Sequence, residues 1–168
     1  MEKCGIFRTY YTNNNILNMS NDTTVESEYF INNGVKDGDF KKFYITGELL
    51  SLSTYINNRL EGQWTTFRKN GKIKQKCNYV NNKIEGEFIE YYENENIREI
   101  YTFVAGQRNG KYTGFYENGN IRSTCIYNSD KFIDMIFYNL DGSIEKMLDR
   151  HECSLICNDP LHTLYWTN

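Results

Sequence analysis

Gly110-Lys111-Tyr112 … Phe115-Tyr116-Glu117-Asn118-Gly119-Asn120-Ile121 is the stretch on which the reading of this chain turns. The same cadence precedes it twice, as Gly62-Gln63-Trp64 … Phe67-Arg68-Lys69-Asn70-Gly71-Lys72-Ile73 and as Gly86-Glu87-Phe88 … Tyr91-Tyr92-Glu93-Asn94-Glu95-Asn96-Ile97. Gly38, Gly62, Gly86 and Gly110 stand 24 positions apart. A fixed period of this length marks a repeat architecture. Asn-Gly between aromatic and β-branched stretches is a hairpin signal, because a type I′ turn needs positive φ at both central residues. The expectation is therefore a two-residue loop at Asn70-Gly71, and a second, longer turn at Asn57-Asn58, Asn81-Asn82 and Ala105-Gly106.

Working outward, Gly5, Phe7, Tyr10, Tyr11, Asn14 and Ile16 repeat the same offsets, but Gly5 to Gly38 is 33 positions. The excess implies an insertion, placed at about residues 17–28, where the chain is polar and acidic. A degraded unit follows at the other end, with Ile133 in the glycine position and Tyr138, Asp141-Gly142 and Ile144 keeping the hairpin after one deletion. The fold class is all-β: an elongated, twisted antiparallel β-meander of about six 24-residue hairpin repeats over residues 1–147. A C-terminal segment, 148–168, would cap it.

A two-residue loop at Asn70-Gly71 pairs Arg68 with Ile73, Trp64 with Cys77 and Gly62 with Tyr79. Side chains alternate across a strand. One face then receives Trp64, Ile73, Cys77, Tyr79, Phe88, Tyr92, Ile97, Tyr101, Tyr112, Ile121, Cys125 and Tyr127. On this face each glycine lies opposite an aromatic, and a ring over a bare glycine would restore buried area. The other face is more polar, with Phe67, Tyr91 and Phe115 opposite Lys74, Arg98 and Arg122. These six are the candidate binding residues, as aromatic and cationic anchors of a partner surface. Ordinary packing of basic side chains over rings is the alternative for the same six.

Glycine at this period, followed by aromatic–x–x–aromatic–Tyr, Asn-Gly and Ile, and then Tyr-x-Asn-Asn, resembles the MORN-variant (membrane-occupation-and-recognition-nexus-like) repeat. Departures are the first-unit insertion, Glu95 and Ile133 where glycine is usual, and Arg68 at an aromatic position. The resemblance implies ladders of short antiparallel strands, and scaffolding or partner binding, including antitoxin- or immunity-like roles. It brings no catalytic set.

Composition agrees. Fifteen per cent aromatic residues argue for a folded chain, and one Pro with abundant Asn suits short strands and polar turns. A net charge of -3 argues against nucleic acid as partner. No apolar run reaches membrane-spanning length, so no membrane span is expected, and five Cys without framework spacing point to a reducing, cytoplasmic setting. No nucleophile elbow or phosphate loop is present, and no cofactor is implied. His151, Cys153, Cys157 and His162 make a tetrahedral zinc set by type, although His151 and Cys153 are separated by one residue where paired ligands usually have two to four between them. The expectation is a non-enzymatic interaction module with a protein partner or self-association. The alternative is a small enzyme or zinc-stabilised adaptor with its site in the tail and last hairpins.

Overall fold

The computed structural model describes residues 4–11 and 24–149, which form thirteen strands and no helix. Contacts divide the chain into two compact units, residues 1–83 and 84–168. The first contains β1 (Gly5–Tyr10), β2 (Val25–Asn32), β3 (Val35–Phe43), β4 (Leu49–Ile56), β5 (Arg59–Phe67) and β6 (Ile73–Val80). A two-residue strand, β7 (Lys83–Ile84), marks the division. The second contains β8 (Gly86–Tyr91), β9 (Ile97–Val104), β10 (Gln107–Phe115), β11 (Ile121–Asn128), β12 (Lys131–Tyr138) and β13 (Ile144–Leu148). Within each unit every strand pairs antiparallel with the next in sequence. This is the meander that the glycine period implies. Val25 to Glu28, assigned from sequence to the insertion, form the first half of β2. The tail beyond residue 149 lies outside the described residues.

The two turn types are exchanged relative to expectation. The turns at Asn57-Asn58, Asn81-Asn82 and Ala105-Gly106 are the tight ones, with positive φ at both residues (50° and 64°, 50° and 65°, 52° and 86°). Ile56 pairs directly with Arg59 and Val104 with Gln107, so these loops hold two residues. They satisfy the type I′ requirement that the sequence suggested for Asn-Gly. In the Asn-Gly loops only the second residue has positive φ, as at Gly71 (82°) and Gly119 (89°). Gly119 donates its N–H to the Tyr116 carbonyl (2.9 Å) and Tyr116 donates to the Asn120 carbonyl (2.8 Å). That is a three-residue loop ending in a left-handed residue. The Asn118 side chain closes it by accepting the Asn120 N–H at 3.0 Å, which is why Asn precedes the glycine.

The longer loop changes the register. Gly62–Tyr79 and Trp64–Cys77 pair as expected, but Phe67 faces Ile73 and Lys74 is left over as a bulge. The same step recurs at Tyr91–Ile97 and Phe115–Ile121, with Arg98 and Arg122 as the extra residues. A second irregularity lies at the repeat glycine. Between β9 and β10, Asn109, Gly110 and Lys111 oppose the single residue Thr102. Between β4 and β5, Gly62, Gln63 and Trp64 oppose Ser53. Gly62 has φ 74° and a Cβ there would meet nothing within 4 Å. No ring covers it; the glycine is needed for the backbone of the bulge. In the degraded unit only Ile133 and Asp134 oppose Ile126, and Ile133 has no positive φ. The shorter bulge and the missing glycine go together, since this bulge needs no left-handed residue.

Each unit has a first face, carrying the central aromatics, and a second face behind it. In the first unit Phe7, Tyr29, Phe40 and Tyr55 follow in series at 6.2, 5.7 and 5.6 Å, the first two contacts stacked and the third tilted. In the second unit Tyr112, Cys125, Tyr127, Phe132, Met135 and Leu148 form the buried cluster, with Tyr101 and Phe137 against it.

Candidate interaction surface

The bulges decide where the six candidate binding residues point. Both side chains of a two-against-one bulge stand on the side of the residue they oppose. Arg98 accordingly turns toward Glu90, at 3.4 Å, and its guanidinium lies 5.9 Å from the Tyr92 ring. Arg122 turns to the first face, its Nη2 donating to Glu99 Oε1 at 3.0 Å. The row of cations beside Phe67, Tyr91 and Phe115 is thereby replaced. Their cross-strand partners are Ile73, Ile97 and Ile121, which the two-residue loop would have put on the first face. Ile73 and Ile121 are 37% and 44% exposed.

On the second face each hairpin thus presents an aromatic opposite an aliphatic residue, next to its three-residue loop. In the first unit these are Phe43–Leu49 and Phe67–Ile73. In the second unit they are Tyr91–Ile97, Phe115–Ile121 and Tyr138–Ile144. The next row inward there is Ile89–Ile100–Thr113–Thr124–Ile136–Met147, assembled by direct pairing across successive strands. Neither row contains a charged residue. Ile144 and Met147 are more than half exposed. This is the property that makes the face a candidate surface, and the sequence hid it behind a one-residue error of register.

In the second unit the first face carries two facing acidic residues. Glu90 and Glu99 are directly opposed carboxylates, an arrangement that repels unless each is matched. Arg98 matches one and Arg122 the other. The Tyr101 hydroxyl donates to Glu99 Oε2 at 2.8 Å, and Glu99 is 8% exposed. Burial, reinforced by the Glu99 charge, pushes the Tyr101 phenol well above its ordinary value. Burial likewise pushes Tyr112 up to about 12. The hydroxyls of Tyr112 and Ser123 and the Arg122 guanidinium converge where Gly114 has no side chain. This is a filled polar cluster around an ion pair, and it joins two consecutive repeats through Glu99 and Arg122.

Two cations on this face have no counterpart in the sequence reading. The Lys36 ammonium sits 4.8 Å from the ring centres of both Tyr29 and Phe40, and 5.3 Å from that of Tyr55. Arg108 occupies the same repeat position and lies 5.6 Å from Tyr101 and 5.2 Å from Tyr127. The signal was legible. Lys36 and Arg108 stand two residues before a repeat glycine wherever an aromatic stands nine before it; Leu60 and Ile84 take that position where Ser53 or Cys77 does. A third ring and a cation thus occur together, where Ser53 with Leu60 or Cys77 with Ile84 stands in the other repeats.

Neighbouring repeats are also tied at their tight turns. Asn58 donates its N–H to the Lys36 carbonyl (2.8 Å) and accepts the Lys36 N–H on Oδ1 (2.7 Å). Asn82 does the same with Leu60, and Asp130 with Arg108. On the loop side Tyr44, Tyr92 and Tyr116 donate their hydroxyls to the carbonyls of Phe67, Phe115 and Tyr138 at 2.7–2.8 Å. Repeats clamped at both ends hold the exposed pairs at fixed spacing.

Among the described residues no group of three His, Cys, Asp or Glu could hold a metal ion. His151, Cys153, Cys157 and His162 lie outside them. Cys4, Cys77 and Cys125 form no disulfide. No helix among the described residues is long and apolar enough to cross a membrane.

Compared with known families, residues 60–81, 84–105 and 108–129 match the model of the MORN repeat variant. No curated protein matches. Among solved structures, the crystal structure of TarM aligns at TM-score 0.31 and 13% identity, covering 76% of this chain and 22% of that one. A GtfA/B complex bound to UDP and GlcNAc aligns at TM-score 0.25 and 11% identity, covering 83% and 25%. The chain therefore spans about a quarter or less of those proteins' lengths.

Proposed function

We propose, on the premise that residues 60–81, 84–105 and 108–129 are three consecutive MORN repeat variants, that this protein is a non-enzymatic module holding a protein partner on the second face. MORN repeats are generally associated with protein or membrane binding. The observation that carries the reading is the exposure of Ile121 and Ile144, at 44% and 55%, beside Phe115 and Tyr138 in rows free of charge. Regularly spaced apolar anchors on a backbone clamped between repeats give affinity without ordering the surface first. Phe67, Tyr91 and Phe115 keep their place in this surface, with Ile73, Ile97 and Ile121 taking over from Lys74, Arg98 and Arg122. Glu90 and Glu99 serve as counter-ions of Arg98 and Arg122, which supports a binding over a catalytic role. Five Cys without framework spacing support a reducing, cytoplasmic setting. An immunity- or antitoxin-like task would be one instance of such binding.

The test is photo-crosslinking in the native cell, with p-benzoylphenylalanine in place of Ile121, Ile144 or, as control, the exposed Asn109. One and the same adduct from Ile121 and Ile144, absent from Asn109, is expected. No adduct from the two isoleucine positions, or the same adduct from all three, overturns the reading.

A further inference from the structure

The second face of β8–β13 has a rim whose chemistry narrows the partner. Each of its aromatic–aliphatic pairs adjoins a hairpin loop: Tyr91–Ile97, Phe115–Ile121 and Tyr138–Ile144 bracket these loops in sequence. The loops carry Glu93, Glu95, Glu117 and Asp141 and no Lys or Arg. All four carboxylates are exposed. Asp141 is held in its ionised form, its carboxyl lowered by hydrogen bonds from Ser143. An apolar strip thus runs alongside an edge of one sign of charge.

Resting on the reading of this face as a partner surface, we propose that β8–β13 take a basic amphipathic helix. Its apolar stripe would cover Tyr91, Ile97, Phe115, Ile121, Tyr138 and Ile144, and its Lys or Arg side chains would meet the loop carboxylates. Two arguments select this occupant. Charge complementarity, with Glu117 and Asp141 on the rim, favours a cationic partner over an anionic lipid surface or an acidic peptide. Spacing suits a helix. Successive pairs are one hairpin apart, two strand spacings or about 10 Å, and residues i and i+7 of an α-helix are about 10.5 Å apart along its axis. A helix laid across the strands therefore offers one apolar side chain per pair, with i+3 and i+4 filling the gaps. The uncharged row Ile100–Thr113–Thr124–Ile136 gives the helix a floor against which no buried charge is left unmatched.

The experiment uses the full chain and two labelled three-heptad peptides, identical in their Leu positions and carrying Lys or Glu elsewhere, read by fluorescence anisotropy. The Lys peptide should bind at least ~10-fold more tightly than the Glu peptide, and its affinity should fall as salt rises. Ile121→Ser with Ile144→Ser, which leaves charge unchanged, should weaken it at least ~10-fold; Glu93→Lys with Glu117→Lys should abolish the preference. In the wild-type chain the Ile121 and Ile144 methyl resonances should shift on adding the Lys peptide, which reads the site without any variant. Equal binding of the two peptides, unshifted methyls, or capture by phosphatidylserine vesicles instead overturns the basic helix. If crosslinks from Ile121 and Ile144 persist in that case, the strip remains a partner surface and only the partner's chemistry is wrong. If the crosslinks fail too, the surface itself is refuted.

Discussion

Gly114→Ala should destabilise the protein although Gly114 sits in a strand without positive φ. A methyl group there would place Cβ 2.6 Å from the Tyr112 hydroxyl oxygen, 2.8 Å from Ser123 Oγ and 3.3 Å from Arg122 Nη2. Ordinary contact begins near 3.4 Å, so the first overlap is 3.4 − 2.6 = 0.8 Å. Ser123 can relieve its part by rotating its hydroxyl. Tyr112 cannot: its ring is 1% exposed and packed 4.8 Å from Tyr101 and 6.3 Å from Tyr127. Overpacking of this kind costs about 1–3 kcal/mol. The reduced freedom of the unfolded chain returns about 0.4–1 kcal/mol. We expect a net loss of about 1 kcal/mol, which exceeds the effect of most surface changes. Urea unfolding followed by tyrosine and tryptophan fluorescence measures it as a lowered midpoint at unchanged slope. Tyr112→Phe in the same chain removes the clashing oxygen, so the double variant should be less destabilised than the sum of the singles by about 1 kcal/mol. An unchanged or raised midpoint for Gly114→Ala would refute the packing of the Glu99–Arg122–Tyr112 cluster.

Gly62→Ala tests the opposite cause, since its Cβ meets open space and only φ 74° opposes it: a loss of about 1–2 kcal/mol is expected in the same urea assay. Gly62→Asn should lose less, because Asn enters the left-handed region more readily, whereas a ring packed over the glycine would make Asn the worse of the two. Tyr101, Tyr112 and Tyr127 all have phenols raised above the ordinary 10.0 by burial. Their contribution to stability is complete below pH 10 and is lost as pH rises toward the folded-state values, so unfolding at high pH should coincide with their ionisation near 295 nm. The Cys77 thiol, pushed up to about 11 by burial, should react with a disulfide reagent far more slowly than the exposed Cys4, and both should react at similar rates in denaturant.

What was legible in the sequence follows from what each residue type dictates locally. The period of the glycines and the polar turns between aromatic runs defined the hairpins, and the pairing of Gly62 with Tyr79 and Trp64 with Cys77 followed from them. What escaped was a choice between two loops that Asn-Gly can equally serve. Glu95 held the clue: a type I′ turn at Asn94-Glu95 would put two non-glycine residues in the left-handed region, whereas the observed loop puts only Glu95 there, at φ 69°. The Asn-Asn and Ser-Asp pairs could take the tight turn because short polar side chains tolerate that region. Missing the loop moved Ile73, Ile97 and Ile121 to the wrong face and set Lys74, Arg98 and Arg122 beside the aromatics. The ion pairs of Arg98 and Arg122 depend on cross-strand neighbours, which no local pattern specifies. Glu90 opposite Glu99 was nonetheless a hint, since two facing carboxylates call for cations nearby.

The register that carries the isoleucines to the second face can be read from nuclear Overhauser contacts in a selectively labelled sample. Contacts are expected between the Phe115 ring and the Ile121 methyl groups, and between Arg122 and Tyr112 side-chain protons. Contacts between Phe115 and Arg122, with the Ile121 methyls against Tyr112, would contradict it.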